Sequence, residues 1–243
     1  MRIGLVVSLF LGLVSLFPMG ASAGSDHSPV GTWAVGVSGS DHGINYLTFS
    51  TNFTWTGYGI SLESFGPITI VGTWTNDNKG EVVGPYTETF PGATMGWSMA
   101  AKLPGGKKFR GMAVSRFDNR LLRLVLRGET AATAHNISGN WVADGSSHGN
   151  RFFETYTLTA STNMPGWFDL AGLVSTGNGT STVSGAMIVN TDRRANGYMI
   201  SDFTSSVTVT SSFSGRFNLP LTKITFVGRD DNNHALVFRA TQQ

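Results

Sequence analysis

From Gly31 onward, short runs of β-branched, aromatic or alternating residues recur between turn signals, and no window of helical period capped at both ends competes with them. This rhythm predicts strands near 31–37, 44–50, 53–60, 68–75, 81–90, 95–102, 109–117 and 121–127. A parallel set follows near 139–144, 151–161, 166–176, 180–190, 195–203, 206–213, 217–229 and 234–240. The breaks have turn chemistry of their own. Ser50-Thr51-Asn52, Pro104-Gly105-Gly106 and Asp118-Asn119 supply residues that tolerate positive φ or bond their own backbone. In the last strand of the first set, Leu122, Leu124 and Leu126 share one face while Arg123, Val125 and Arg127 share the other, so that strand is half buried.

The two sets are copies of each other. His27 precedes Gly31-Thr32-Trp33 as His135 precedes Gly139-Asn140-Trp141, a shift of 108. Gly39-Ser40-Asp41-His42-Gly43 returns as Gly145-Ser146-Ser147-His148-Gly149, and Leu47 to Asn52 returns as Leu158 to Asn163. Both copies close alike, Arg116-Phe117-Asp118-Asn119 leading to Arg127 and Arg229-Asp230-Asp231-Asn232 leading to Arg239. A period this long means duplicated domains, because solenoid and propeller units run to roughly 20–50 residues. We expect domains at 24–129 and 130–243, joined by Gly128 to His135. Full closure removes exposed sheet edges, which favours an all-β fold of two tandem antiparallel up-and-down eight-stranded β-barrels over sandwiches.

Residues 1–23 read as a cleaved signal peptide. Arg2 precedes an apolar run from Ile3 to Phe17, and Pro18 precedes Ala21-Ser22-Ala23, a small-x-small cleavage pattern. The run is shorter than the roughly 20 residues a membrane helix needs. The expected product is exported, periplasmic or secreted, and does not span a membrane. Without the leader, 16 basic residues face 15 acidic ones, a balance that does not ask for nucleic acid. With no Cys there are neither disulfides nor thiolate metal sites, and no cofactor is implied.

Gly31-Thr32-Trp33 with Arg127, and Gly139-Asn140-Trp141 with Arg239, resemble the calycin superfamily of lipocalins, fatty-acid-binding proteins and avidins. In that superfamily a Gly-x-Trp on the first strand packs beneath a basic side chain from the last. The resemblance implies that Trp33 with Arg127 and Trp141 with Arg239 close the barrels, a cation over an indole being worth about 0.5–2 kcal/mol. Thr94-Met95-Gly96-Trp97-Ser98 also looks like the avidin strand containing Leu-Gly-Trp, although the second copy has no Trp there.

Candidate chemistry is distributed. Trp55, Trp74 and Trp97 in the first copy, and Trp167 in the second, are the candidate ligand-binding residues, as indoles can line a pocket for an apolar or amphipathic ligand or simply fill the core. His27 and His42, like His135 and His148, fall at opposite ends of a strand, which argues against a shared metal site, and no metal is expected. Lys102, Lys107, Lys108, Arg110, Arg116, Arg120, Arg123 and Arg127 form a basic stripe, and Lys107, Lys108, Arg110 and Arg120 could meet an anionic surface. Local signatures of hydrolases, zinc proteases and nucleotide enzymes are missing. Glu63, Glu88, Glu154 and Asp169 could pair in space for acid–base work. The expected function is binding of a small hydrophobic or amphipathic ligand inside a barrel. The alternatives are a cofactor-free isomerase, cyclase or hydratase in the same barrel, recognisable by a buried strand-borne carboxylate or His, and a non-catalytic envelope interaction protein with filled cores.

Overall fold

The computed structural model describes residues 28–77, 79–103, 108–130, 135–204 and 207–243, so the leader, His27 and Lys107 lie outside the described residues. The described regular structure is all β. The first copy contains β1 (Gly31–Gly39), β2 (Gly43–Phe49), β3 (Thr54–Ser61), β4 (Gly66–Thr73), β5 (Thr75–Asn76), β6 (Glu81–Phe90), β7 (Ala93–Lys102), β8 (Lys108–Phe117) and β9 (Arg120–Thr130). Their order is β4-β3-β2-β1-β9-β8-β7-β6-β5, and β4 also pairs with β6, which closes the ring. Two-residue β5 continues β4 in the same register, Thr69–Gly72 facing Tyr86–Thr89 and Thr75–Asn76 facing Val82–Val83. The ladder lapses between them opposite Pro85, which has no N–H to donate.

The second copy is a closed barrel of β10 (Gly139–Ser147), β11 (Asn150–Ala160), β12 (Trp167–Thr176), β13 (Gly179–Val189), β14 (Arg194–Thr204), β15 (Val207–Phe217), β16 (Lys223–Asp230) and β17 (Ala235–Gln242). Both barrels are therefore eight-stranded and antiparallel. The tight turns use the expected residues: Asp118, Asn119 and His148 all have positive φ. Strand β9 runs on to Thr130, so Gly128 belongs to the first barrel wall and the connection is shorter than expected.

Alternation sorts the side chains into two interiors and one seam. Trp33, Val35, Leu47 and Phe49 point into the first barrel, whereas Trp141, Tyr156, Phe213 and Phe238 point into the second. Ala34, Ile44, Tyr46 and Ile60 face outward from the first barrel but are buried, because they pack on Trp167, Ala186 and Ile188 of the second. An apolar outer face with a partner of its own makes the two barrels one packed body. The seam is also pinned by polar bonds. Tyr46 Oη donates to Val189 O (2.6 Å), Tyr58 Oη donates to Pro165 O (2.8 Å) and Ser212 Oγ donates to Leu62 O (2.8 Å). Gly166, at φ 76°, lets the chain pass Tyr46, since a Cβ there would lie 2.5 Å from the phenol oxygen. Tyr46→Phe is expected to cost about 1 kcal/mol in urea unfolding, the worth of one buried hydrogen bond. An unchanged midpoint would mean that the seam does not rely on it.

Candidate functional site

The core of the first barrel is a chain of rings. Trp97 stacks on Tyr86 (6.1 Å between centroids), Tyr86 meets Trp55 edge-on (5.0 Å), Trp55 stacks on Phe49 (5.2 Å), and Phe49 meets Trp74 (5.9 Å) and Phe109 (6.0 Å). Phe109 in turn meets Trp33 at 6.0 Å. Trp33, Trp55, Trp74 and Trp97 are all buried, so the structure brings the expected tryptophans of the first copy together as packing partners. Two of them keep an unused donor. Trp55 Nε1 and Trp97 Nε1 are buried without a hydrogen-bond partner among the described residues. Trp55 Nε1 lies against the wall at Gly72, where a Cβ would come within 2.3 Å of it.

Polar side chains inside the first barrel gather at one end. Asn45 lies near the start of β2, Ser61 ends β3, Glu88 lies near the end of β6 and Ser115 near the end of β8, and all four are buried. Antiparallel alternation brings these strand ends to the same rim, the one crossed by the β1–β2 hairpin with Asp41. The partly buried apolar residues of this core, Val37, Phe90, Met95 and Leu122, are at that rim as well. The opposite end holds Trp33, whose Nε1 donates to Pro29 O at 2.7 Å.

The regular ladder of the wall ends beside this cluster. The β7–β8 ladder pairs Ser98–Lys102 with Arg110–Val114 and goes no further, although both strands continue toward the rim. Met95, Gly96 and Trp97 on one side and Ser115 on the other are left without ladder partners across this gap. Ser115 Oγ instead donates to Gly96 O. A Cβ placed on Gly96 would meet nothing within 4 Å.

Electrostatics separate this rim from an ordinary core. Burial pushes the Glu88 carboxyl up to about 7, the Asp41 carboxylate adds to the rise, and the Trp97 N–H opposes it without forming a hydrogen bond of normal geometry. Asp41 is also raised, chiefly by burial, against bonds from Ser61 and the His42 backbone. Asn45 Oδ1 is buried and unpartnered. A protonated carboxyl can both donate and accept, and an indole N–H donates, so the rim offers complementary groups to a polar ligand head next to an aromatic floor.

The second barrel repeats the plan with other residues. Glu154 is 3% exposed on β11, with Oε2 and the neighbouring Tyr156 Oη unpartnered. Burial alone raises its carboxyl to about 8. Ser181, Ser201 and Ser211 are buried at the same rim. The far end is stopped by Trp141, which donates to Ile137 O (3.0 Å) and meets Phe217 edge-on (5.7 Å). The β13–β14 ladder likewise stops at Thr182 and Asp202, although β13 begins at Gly179 and β14 runs on to Thr204.

The other expected residues sit elsewhere. Trp167 is outside the second barrel interior, in the seam, with Nε1 donating to Asp169 Oδ1 (3.0 Å). Glu63 reaches across the seam to Arg229 (2.5 Å) and, with Asp169, takes no part in either interior. Arg127 and Arg239 are exposed on outer faces and are not brought over Trp33 or Trp141, because in strands ending Leu-x-Leu-Arg and Leu-x-Phe-Arg the arginine has outward parity. Among the described residues, the cation over a ring is Arg229 above Phe65 (5.2 Å). His42 faces Glu63 (3.8 Å), His135 Nε2 contacts Thr191 O (2.9 Å) and His148 packs on His234 (4.3 Å). No group of three or more His, Asp or Glu among the described residues is placed to hold a metal. The basic stripe splits in two: Lys108 and Arg110 lie beside Arg127, whereas Arg116 and Arg120 lie at the other end of the β8–β9 hairpin.

No family model matches the chain, and no curated protein matches it. Among solved structures it is similar to a redesigned β-barrel, mFAP1, bound to DFHBI, at 16% identity and a TM-score of 0.39 over 44% of this chain and 94% of that one. It is also similar to a protein of unknown function of the DUF3598 family from Nostoc punctiforme, at 11% identity and a TM-score of 0.28 over 88% of this chain and 96% of that one.

Proposed function

We propose that the protein binds a small amphipathic ligand at the open rim of its first barrel. The ligand's apolar part would lie on Met95 and Trp97, and its polar group would meet Glu88 and the Trp97 N–H. The observation that carries this reading is the coincidence at one rim of the unpartnered Trp97 N–H and Asn45 Oδ1 with the buried Glu88 carboxyl, beside the end of the β7–β8 ladder. In this reading the chain is a duplicated calycin-type barrel protein, and residues 1–23 direct its export. Secreted material would then begin at Gly24, which N-terminal sequencing checks. For the site, 8-anilinonaphthalene-1-sulfonate is expected to quench Trp fluorescence and raise the Tm of the wild type. Glu88→Gln is expected to change the affinity at least threefold, whereas Glu154→Gln leaves it alone. A dye that neither quenches nor stabilises would remove the proposal.

A second reading rests on the Asp41–Glu88 pair. Burial and the Asp41 carboxylate together hold the Glu88 carboxyl near 7, where it can pass a proton to and from a bound molecule at neutral pH. On that reading a bound carbonyl or alkene compound would be recovered isomerised or hydrated, and Glu88→Gln would return it unchanged.

A further inference from the structure

The two arginines that close the repeats share an environment that neither barrel interior explains. Arg110 lies opposite Arg127, and Arg127 lies opposite Gly36. Across the seam Arg194 lies opposite Arg216, Arg216 opposite Thr225, and Thr225 opposite Arg239. The two rows meet at Gly36. A Cβ there would stand 3.2 Å from Arg194 Nη2, so the missing side chain is what lets an arginine of the second barrel lie across β1 beside Arg127. With strands about 4.8 Å apart and packed faces about 10 Å apart, the combined row runs roughly 30 Å.

Two clefts follow this row. One, of about 190 Å³, lies at the seam between Lys108, Arg110, Arg127 and Arg194, and the other, of about 670 Å³, lies between Arg193, Arg216, Lys223 and Arg239. Asp192 is the acidic side chain lining them among the described residues, and it bonds Arg194 Nε at 2.7 Å, leaving the terminal nitrogens of that guanidinium available. Asp144 stands opposite Arg239, so the excess of positive charge is greater on the more central arginines.

We propose that Arg110, Arg127, Arg194, Arg216 and Arg239 form one binding row for a flexible acidic polysaccharide that crosses from one barrel to the other. Planar guanidinium groups match carboxylate and sulfate oxygens two at a time, and spacing them along one line suits a repeating anion. The shape selects among polyanions. The row dips at the seam between two convex walls, where a chain can follow and a flat bilayer cannot. Single-stranded nucleic acid gains from stacking its bases on exposed rings, but the aromatic residues lining these clefts, Phe109 and Phe217, are 1% and 2% exposed.

The test is binding of dextran sulfate and alginate by the full chain as salt is varied. Both are expected to bind, and their order separates sulfate from carboxylate as the preferred group. Arg127→Gln with Arg239→Gln is expected to weaken binding at least tenfold and to lower the slope of log affinity against log salt by about two. Arg116→Gln with Arg123→Gln removes the same charge at the far end of the β8–β9 hairpin and is expected to change affinity less than twofold. Equal losses in the two double variants would overturn the proposal, as would tighter binding of anionic vesicles or single-stranded DNA. So would an oligosaccharide too short to reach across the seam that bound as tightly as the polymer.

Discussion

Glu154→Gln is expected to make the protein more stable at pH 9 by several kcal/mol while changing it little at pH 4. The free carboxyl titrates near 4.5 and the buried one near 8, for no reason other than removal from water. Between those values the folded state keeps a proton that the unfolded state has released, so folding stability falls as pH rises, and it levels off above the folded value. At about 1.4 kcal/mol per unit the cost is roughly 3–5 kcal/mol, and a neutral amide does not incur it. Glu88 carries the same sign over a narrower window, from 4.5 to about 7. Urea unfolding at pH 4, 6 and 9 checks this. Wild type and Glu154→Gln are expected to converge at low pH and to diverge between about pH 4.5 and 8, and parallel profiles would show that Glu154 is solvated.

Trp55→Ala is expected to cost about 3–5 kcal/mol, as for a large ring removed from a rigid core. Its indole is 1% exposed, stacks on Phe49 and meets Tyr86, so neighbouring strands cannot collapse into the space. Trp97→Ala is expected to cost less, because the β7–β8 ladder ends beside it, yet to lose more ligand affinity. Paired denaturation and dye titration of the two variants measure both quantities. Equal stability losses would mean that the rim is as tightly packed as the middle of the barrel.

The strand rhythm of the sequence corresponds closely to the folded chain, since all eight strands of each barrel fall where alternation and turn residues place them. The one misplaced break is in the second copy, where Ser214-Gly215-Arg216 suggests a turn. Strand β15 continues through Phe217 and turns at Asn218–Thr222 instead. Gly215 is a packing residue there, with the Thr225 carbonyl 2.5 Å from where its Cβ would be. Trp167 was legible as buried but not as belonging to the seam. A strand with apolar residues on both faces reads the same whether the second face meets a helix, a ligand or another barrel. For Arg127 and Arg239 the parity was visible, Arg127 sharing a face with Arg123 and Val125, and the outward position follows from it. Glu88 and Glu154 were legible only as candidates. Asp169 differs from them by parity within a closed barrel and Glu63 by lying in the turn between β3 and β4, and the end of the ladder beside Trp97 is a matter of ladder length that no local pattern encodes.

The rim of the first barrel that holds Glu88 and Trp97 is the binding site we propose. Nuclear magnetic resonance of the indole N–H groups during titration with 8-anilinonaphthalene-1-sulfonate tests it most directly. The Trp97 resonance is expected to move most, with smaller changes at Trp55 and none at Trp141 or Trp167. Movement confined to Trp141 or Trp167, or no movement as the dye saturates, would contradict it.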